Sequence, residues 1–506
     1  MLVIPISYIN NKCKTTQNQR QKTKVGYEYS QDVFNKQQNI SFTGIPQITL
    51  FEDIVKIIVK GDLGQIDNLI DPFVINANLK SLLHVSAEHK QLKISKKLLD
   101  KGLSLNHRDR LGKTPFSIAC SVQDEESVNL FLNYKPNINS QDEIGNTPLH
   151  EAISSPKILG SLLDKGANPY AKNSFGLPVL HEASDNPASF EYLLKKGVNP
   201  DSINDEEQTL LHTASIDGNQ KLSDLLLQYK AEKNFRDKNG RSPIFYSKDS
   251  ETVKYWIKNG VDVNLQDKDG KTALFDFVSK NDIKSVIELL TNGARTDIAD
   301  KDGKTILLYA NNNIFRKLLL QFGADPNVVT SNGSTLLHTA VQKNNEEVVK
   351  TLLDYSANAK AIDKNEKSPL YFAKSNGIRS LLLENGANPN DELYLHFALK
   401  TDNEEFFNTL LRMDNIDVNI EDLHSKTPIF YCKKEQDAIK LANKKAYINY
   451  QDDNGNTPLH HFYATGNMKM VETFKKLGAD ETIKNNNGEI PQELFKKYEK
   501  YSAWIK

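Results

Sequence analysis

The nine residues Asp142-Glu143-Ile144-Gly145-Asn146-Thr147-Pro148-Leu149-His150 decide how this chain folds. Thr147 carries a hydroxyl suited to capping a helix, and Pro148 stands at the first helical position, where a missing N–H costs nothing. Leu149, Ala152 and Ile153 then fall on one side of a short helix. A second helix follows, with Ile158, Leu159, Leu162 and Leu163 at helical spacing, and Gly166 supplies the left-handed residue that ends it. Asn168-Pro169 after it, and the Asp-x-x-Gly before Thr147, are turn chemistry that projects a hairpin-like finger. Two helices this short cannot bury their apolar faces alone, so the unit needs neighbours.

Neighbours of the same design run along the chain. Thr114-Pro115-Phe116, Thr209-Leu210-Leu211-His212, Thr335-Leu336-Leu337-His338 and Thr457-Pro458-Leu459-His460 repeat the start of the unit. Asp109 to Gly112, Asp300 to Gly303 and Asp452 to Gly455 repeat its finger. Leu289-Leu290 with Gly293-Ala294, and Leu382-Leu383 with Gly386-Ala387-Asn388-Pro389, repeat its end. The pattern resembles the ankyrin repeat, from about Ser81 to Gly488. That resemblance implies an all-α solenoid of stacked helix–turn–helix units with finger loops, about 13 repeats between two caps. The expected division is a disordered leader over 1–47, a degenerate capping repeat over 48–80 (Ile54, Ile57, Ile58, Leu63, Ile66, Ile70), tandem repeats over 81–489, and a C-terminal capping helix and tail over 490–506.

A second period lies inside the first. The capping positions at 209, 242, 272, 305, 335, 368, 393, 427, 457 and 490 are separated by 33, 30, 33, 30, 33, 25, 34, 30 and 33 residues. Long units carry His212, His338, His396 and His460, with Phe275 in the unit at 272; short units read Ser242-Pro243-Ile244-Phe245-Tyr246 or similar. The missing residues are expected between the two helices, as at Tyr246 to Glu251. The 25-residue step is a different defect: Gly386 to Asn390 runs almost straight into Leu393, so most of one finger is absent, and a bend or weak junction is expected there.

Composition excludes several functions. Lys+Arg total 64 against 65 Asp+Glu, and a net charge of −1 does not suit a general nucleic-acid or anionic-membrane binder. No apolar stretch reaches the length of a membrane span, and no basic region precedes the apolar start Met1 to Ile9, so a cytoplasmic protein is expected. Cys13, Cys120 and Cys432 have no zinc-ligand spacing. His84, His150, His181, His212, His338, His396 and His460 share one position of the repeat, which makes a column along the stack rather than a coordination sphere. In the family this histidine ties backbone at the start of the first helix. Asp267-Lys268-Asp269-Gly270 and Asp300-Lys301-Asp302-Gly303 resemble a calcium loop but lack its closing Glu. Phosphate loops, the nucleophile elbow and His-Glu-x-x-His are absent. No catalytic residue, cofactor or metal site is therefore expected.

The surface remains. In the family, fingers and the outer side of the first helix contact partners. Leu111, Ile144 and Phe175 stand just before the finger glycine in three successive units, where most fingers are polar. They are the candidate partner-binding residues; the alternative is that each tip folds back onto its neighbour. The expected protein is a monomeric, non-catalytic scaffold for protein partners. The richness in Asn, Lys and Ile, with the repeats, resembles the ankyrin proteins of obligate intracellular bacteria and implies a host-directed effector. The alternatives are an internal bacterial scaffold, an enzyme with an unrecognised site, and a decaying paralogue suggested by Glu207, Glu366 and Ser425 in place of finger glycines.

Overall fold

A cap hydroxyl and two short amphipathic segments are local instructions, and the chain obeys them in almost every unit. A computed structural model describes residues 51–66 and 75–497. Among these the regular elements are α or 3-10 helices, and extended backbone pairs only at the isolated bridges Ile75–Ser81, Ala299–Thr305 and Val329–Thr335. The leader expected over 1–47, Ile70 of the expected cap and the tail from 498 onward lie outside the described residues. The chain divides into two compact units, one up to Leu103 and one from Ser104.

In the first unit, Phe51–Lys60 buries Ile54, Ile57 and Ile58, and Leu63–Ile66 buries Ile66. Leu82–Glu88 and Leu92–Asp100 follow, with Ser81 as the extended residue that opens the former.

In the second unit each first helix is short, as in Pro115–Ser121, and each second helix is usually nine residues, as in Glu125–Asn133. The second helices are capped by one device: the side-chain oxygen of Asp124, Ser155, Asn186, Asn219, Asp249, Asp282, Asn312, Asn345, Ser375, Asn403 or Asn467 accepts the backbone N–H three residues on. Each such cap stabilises its helix by about 1 kcal/mol. The buried stripe, Ile158, Leu159 and Leu162 in one unit and Val286, Leu289 and Leu290 in another, faces neighbouring helices. Residues 491–497 are helical.

The short units are short for a different reason than expected. The three residues are removed largely from the first helix, not only from the turn after it. Leu210–Asp217, Ala273–Ser279, Leu336–Gln342, Tyr394–Lys400 and Pro458–Ala464 are α-helices. Pro243–Tyr246, Ile306–Tyr309, Pro369–Phe372 and Pro428–Tyr431 are single 3-10 turns. A 3-10 turn closes its hydrogen bond over one residue fewer, so the chain can reach the second helix without a second helical turn.

The aromatic residue that ends each 3-10 turn meets a ring of the preceding unit, and the three tyrosines among them gain a second partner. Tyr246, Phe372 and Tyr431 meet the ring of His212, His338 and His396 of the preceding long unit edge-on, and Tyr309 meets Phe275 in the same way. The phenols of Tyr246, Tyr309 and Tyr431 also donate to the finger carboxylates of Asp237, Asp300 and Asp422. Phe372 has no hydroxyl to offer Asp363. Phe372→Tyr should therefore add this bond at a half-exposed site and raise stability by about 1 kcal/mol, read as a higher urea midpoint; an unchanged or lower midpoint would contradict the account.

Candidate protein-binding surface

Most fingers are built around one carboxylate or amide oxygen. Asp142 Oδ1 accepts the amides of Ile144 and Asn146 at 3.0 and 2.8 Å; Asn173 Oδ1 does the same for Phe175 and Leu177, and Asp300 Oδ1 for Asp302 and Lys304. These oxygens are committed to the turn, so the Asp267 to Gly270 and Asp300 to Gly303 strings serve the backbone. At the finger base a second column crosses between units: Asn139, Asn264, Asn327 and Asn419 each accept a backbone N–H of the next unit, from Asn168, Arg295, Asn358 and Tyr447, at 2.7–2.8 Å.

At the tips the backbones bond directly. Glu143 donates to the Leu111 carbonyl at 2.9 Å, Ser174 to Ile144 at 2.9 Å, Lys268 to Asn239 at 2.8 Å, Lys301 to Asp269 at 2.9 Å and Asn486 to Asn454 at 3.0 Å. This approach explains the glycine. Gly145 has φ +75°, and a Cβ there would lie 2.6 Å from the Ser174 nitrogen. Glu207, Glu366 and Ser425, which replace the glycine, keep the same left-handed backbone at φ 56°, 59° and 52°. The finger geometry outlives the loss of the residue that favours it.

The three candidate tips stand outward. Leu111 is 62% exposed and Ile144 and Phe175 are each 44% exposed. The ladder bonds link the first to the second finger and the second to the third, so the structure places all three on consecutive, tethered turns. The aliphatic and aromatic groups are carried by fixed backbone, and an exposed apolar group presented in this way loses little entropy on binding.

Sequence reasoning missed a fourth tip. Leu423 is 95% exposed, yet it occupies the residue directly after the finger Asp422 rather than the one before the glycine position. Ile362 and Val329, each just before the first turn residue of its finger, are also exposed, as are Tyr371 and Phe397 on first helices. The signal was present as apolar letters in finger positions; what was missing was any local cue to exposure.

The histidine column is structural. Nδ1 of His150, His212, His338 and His460 accepts the backbone N–H of the capping threonine three residues earlier, at 3.1–3.2 Å. Nε2 then donates to the carbonyl just before the next unit's first helix: His212 to Arg241 at 3.0 Å, His338 to Lys367 at 3.0 Å, His396 to Lys426 at 2.8 Å and His460 to Glu489 at 3.0 Å. One ring nitrogen accepts and the other donates, which fixes a neutral tautomer. Burial lowers the pKa of His150, His181, His212, His338, His396 and His460, and takes His181 down to about 4. At His181 and His396 the Nδ1 has no partner: Pro178 at the cap has no N–H, and Leu393, with ψ 53°, lacks the extended backbone of the capping threonines.

Burial also raises the thiol pKa of Cys120 and Cys432, which leaves neither as a thiolate nucleophile near neutral pH. A cleft of about 370 Å³ between Glu404–Leu411 and Glu435–Asn443 is lined by Asn408, Leu411, Arg412, Lys440, Asn443 and Lys444, which include no Ser, Thr, Cys or His and no carboxylate. No helix among the described residues is long and apolar enough to cross a membrane.

Comparison with known proteins agrees with the geometry. The family model for three copies of the ankyrin repeat matches residues 83–173, 180–250, 244–329 and 309–393, and the single-repeat model matches 454–486. Dog inversin is 31% identical over 173 residues, 30% of this chain and 16% of inversin. An ankyrin repeat protein of Acanthamoeba polyphaga mimivirus is 24% identical over 327 residues, and one of fowlpox virus 26% identical over 255, each match spanning 39% of the relative. The chain thus spans well under half of these relatives, which are animal and viral; none of them supports the bacterial origin expected from composition. Helix pairs, histidine staples and finger ladder, together with these matches over more than half its length, show that the chain belongs to the ankyrin-repeat family and has the build of a protein–protein interaction scaffold.

Proposed function

We propose that this chain is a non-catalytic, monomeric scaffold of about 13 ankyrin repeats, working in the cytoplasm without cofactor, metal, nucleic acid or membrane, and binding a protein through Leu111, Ile144 and Phe175. One observation carries the reading: three apolar tips stand exposed on consecutive fingers whose backbones are bonded to one another. A few anchor residues that become fully buried supply most of the energy in protein interfaces. The proposal extends to a partner in a host cell, supported by relatives in two viruses, which multiply inside host cells.

The test is affinity capture with the full chain and with Phe175→Asp. The variant should lose a captured protein by about tenfold or more while keeping its helical circular dichroism and an unfolding free energy, from urea titration, within about 0.5 kcal/mol of the parent. Undiminished capture, or loss of capture together with loss of helicity, would remove Phe175 from the proposed interface. Finding the tagged chain only outside host cells during infection would remove the host-directed part.

A further inference from the structure

The tip ladder lacks a backbone rung between the fingers of Phe175 and Asp205 and between those of Asp302 and Ser331, where both fingers are present. It is also interrupted where a finger is missing. Lys364 donates to the Asn332 carbonyl at 3.2 Å, and Asp453 donates to His424 at 3.3 Å. Between these rungs the unit beginning at Leu393 has only the short connection 388–392, with no Asp-x-x-Gly turn. Among the described residues, the Asn365 carbonyl and the Leu423 amide, which hold the ladder positions on either side, are paired with no other finger.

Only the tip is absent. At the base, Asn390 continues the column by accepting the Asp417 amide at 2.9 Å, and its side chain donates to the Asn415 carbonyl at 2.7 Å. Below it, helix Asn376–Glu384 packs on Glu404–Leu411, and Arg379 lies buried between the rings of Phe397 and Phe406, 5.1 and 4.8 Å from their centres. The expected weak junction is a notch in the finger layer over a continuous helical floor.

The notch is flanked by apolar side chains. Leu423 follows it at the tip, and Ile362, 62% exposed, precedes it; Tyr371 and Phe397 are exposed on the first helices of the adjoining units. The glycine of the finger before the notch is replaced by Glu366, at the position where Gly145 and Gly270 would otherwise meet the next finger's backbone.

We infer that this notch is a second docking site, which takes a hairpin turn from a protein partner in place of the missing finger. The occupant continues an interface already established on both sides. Its turn donates one backbone N–H to Asn365, accepts one from Leu423, and carries an apolar tip residue to meet Leu423 and Ile362. This is strand-edge completion in miniature: main-chain bonds hold the segment, and one side chain selects it. The inference rests on the scaffold reading but uses residues far in sequence from Leu111, Ile144 and Phe175.

A cyclised peptide with this chain's own finger, residues 449–457 bearing Asn454→Leu, is the probe. Titrated against the full chain by fluorescence anisotropy, it should bind saturably at one site and slow amide exchange at 364–366 and 423–425. Leu423→Asp, at an almost fully exposed position, should weaken binding by about tenfold, whereas Phe175→Asp should leave it within about twofold. Copying residues 449–456 between Asp391 and Glu392 should close the notch and abolish binding. No saturable binding to the intact chain, or equal binding by Leu423→Asp, overturns the inference. Concentration-dependent dimers that Leu423→Asp abolishes, without peptide binding, would assign the notch to a second copy and overturn it equally.

Discussion

Trp256→Ala is expected to lower the stability of the surrounding repeats by about 3–5 kcal/mol. The indole is fully buried on the second helix of a short unit, Ser250–Lys258, and its Nε1 donates to the Ser215 hydroxyl at 2.8 Å. Ser215 belongs to the first helix of the preceding unit, and its own carbonyl accepts the Lys248 amide at 3.1 Å. Truncation therefore opens a cavity and leaves a buried hydroxyl without its donor. The damage should spread, because stacked repeats derive stability from their neighbours and Ser250–Lys258 also packs on Ile283–Thr291. Urea unfolding followed by circular dichroism should show an earlier transition, with faster amide exchange in 210–217 and 283–291. Exchange confined to 250–258 would refute the nearest-neighbour coupling. Trp256→Phe, which keeps most of the volume, should cost less than half as much.

Acid should loosen the stack between pH 6.5 and 4. His150, His181, His212, His338, His396 and His460 titrate near 6.5 in an unfolded chain, but burial lowers their folded pKa, to about 4 at His181. Between those values the unfolded chain binds more protons, so folding loses ground as pH falls. The contribution is fully present above about 6.5, declines on acidification, and is exhausted below the folded pKa. For His181 the difference corresponds to about 3 kcal/mol, at about 1.4 kcal/mol per unit. The carboxylates of Asp300 and Asp422 act at lower pH: burial alone would raise their pKa, but the phenols of Tyr309 and Tyr431 and the finger amides lower it. Melting temperature against pH should fall through the histidine window, and His181→Leu should flatten part of that fall. A profile indifferent to His181 between pH 6.5 and 4 would show that its burial is not carried by the neutral ring.

The repeat was legible because its signals are local. Thr147, Pro148 and His150 cap and open a helix within four residues, and Asp142 closes its turn within four more. The alternation of long and short units was legible in spacing. Its mechanism was not, because choosing a 3-10 turn over an α-helix depends on where Tyr246 and Tyr431 find Asp237 and Asp422, nine residues upstream, and a histidine in the preceding unit. The candidate tips were half legible: Leu111, Ile144 and Phe175 could be aligned, but their exposure could not be read, and Leu423 escaped because it is shifted by one residue within its turn.

The amino-acid sequence by itself determined the helix pairs, their caps, the finger turns and the place where a finger is missing, since each depends on groups within about ten residues of one another. Only the tertiary structure decided which ring nitrogen of each histidine donates, since its acceptor carbonyl lies 27–30 residues away. It also decided that the turns of Leu111, Ile144 and Phe175 are bonded in succession with their tips outward, and that no finger reaches the Asn365 carbonyl although the helices below it pack together. Exposure and pairing between units are properties of the stack, and no single repeat carries them.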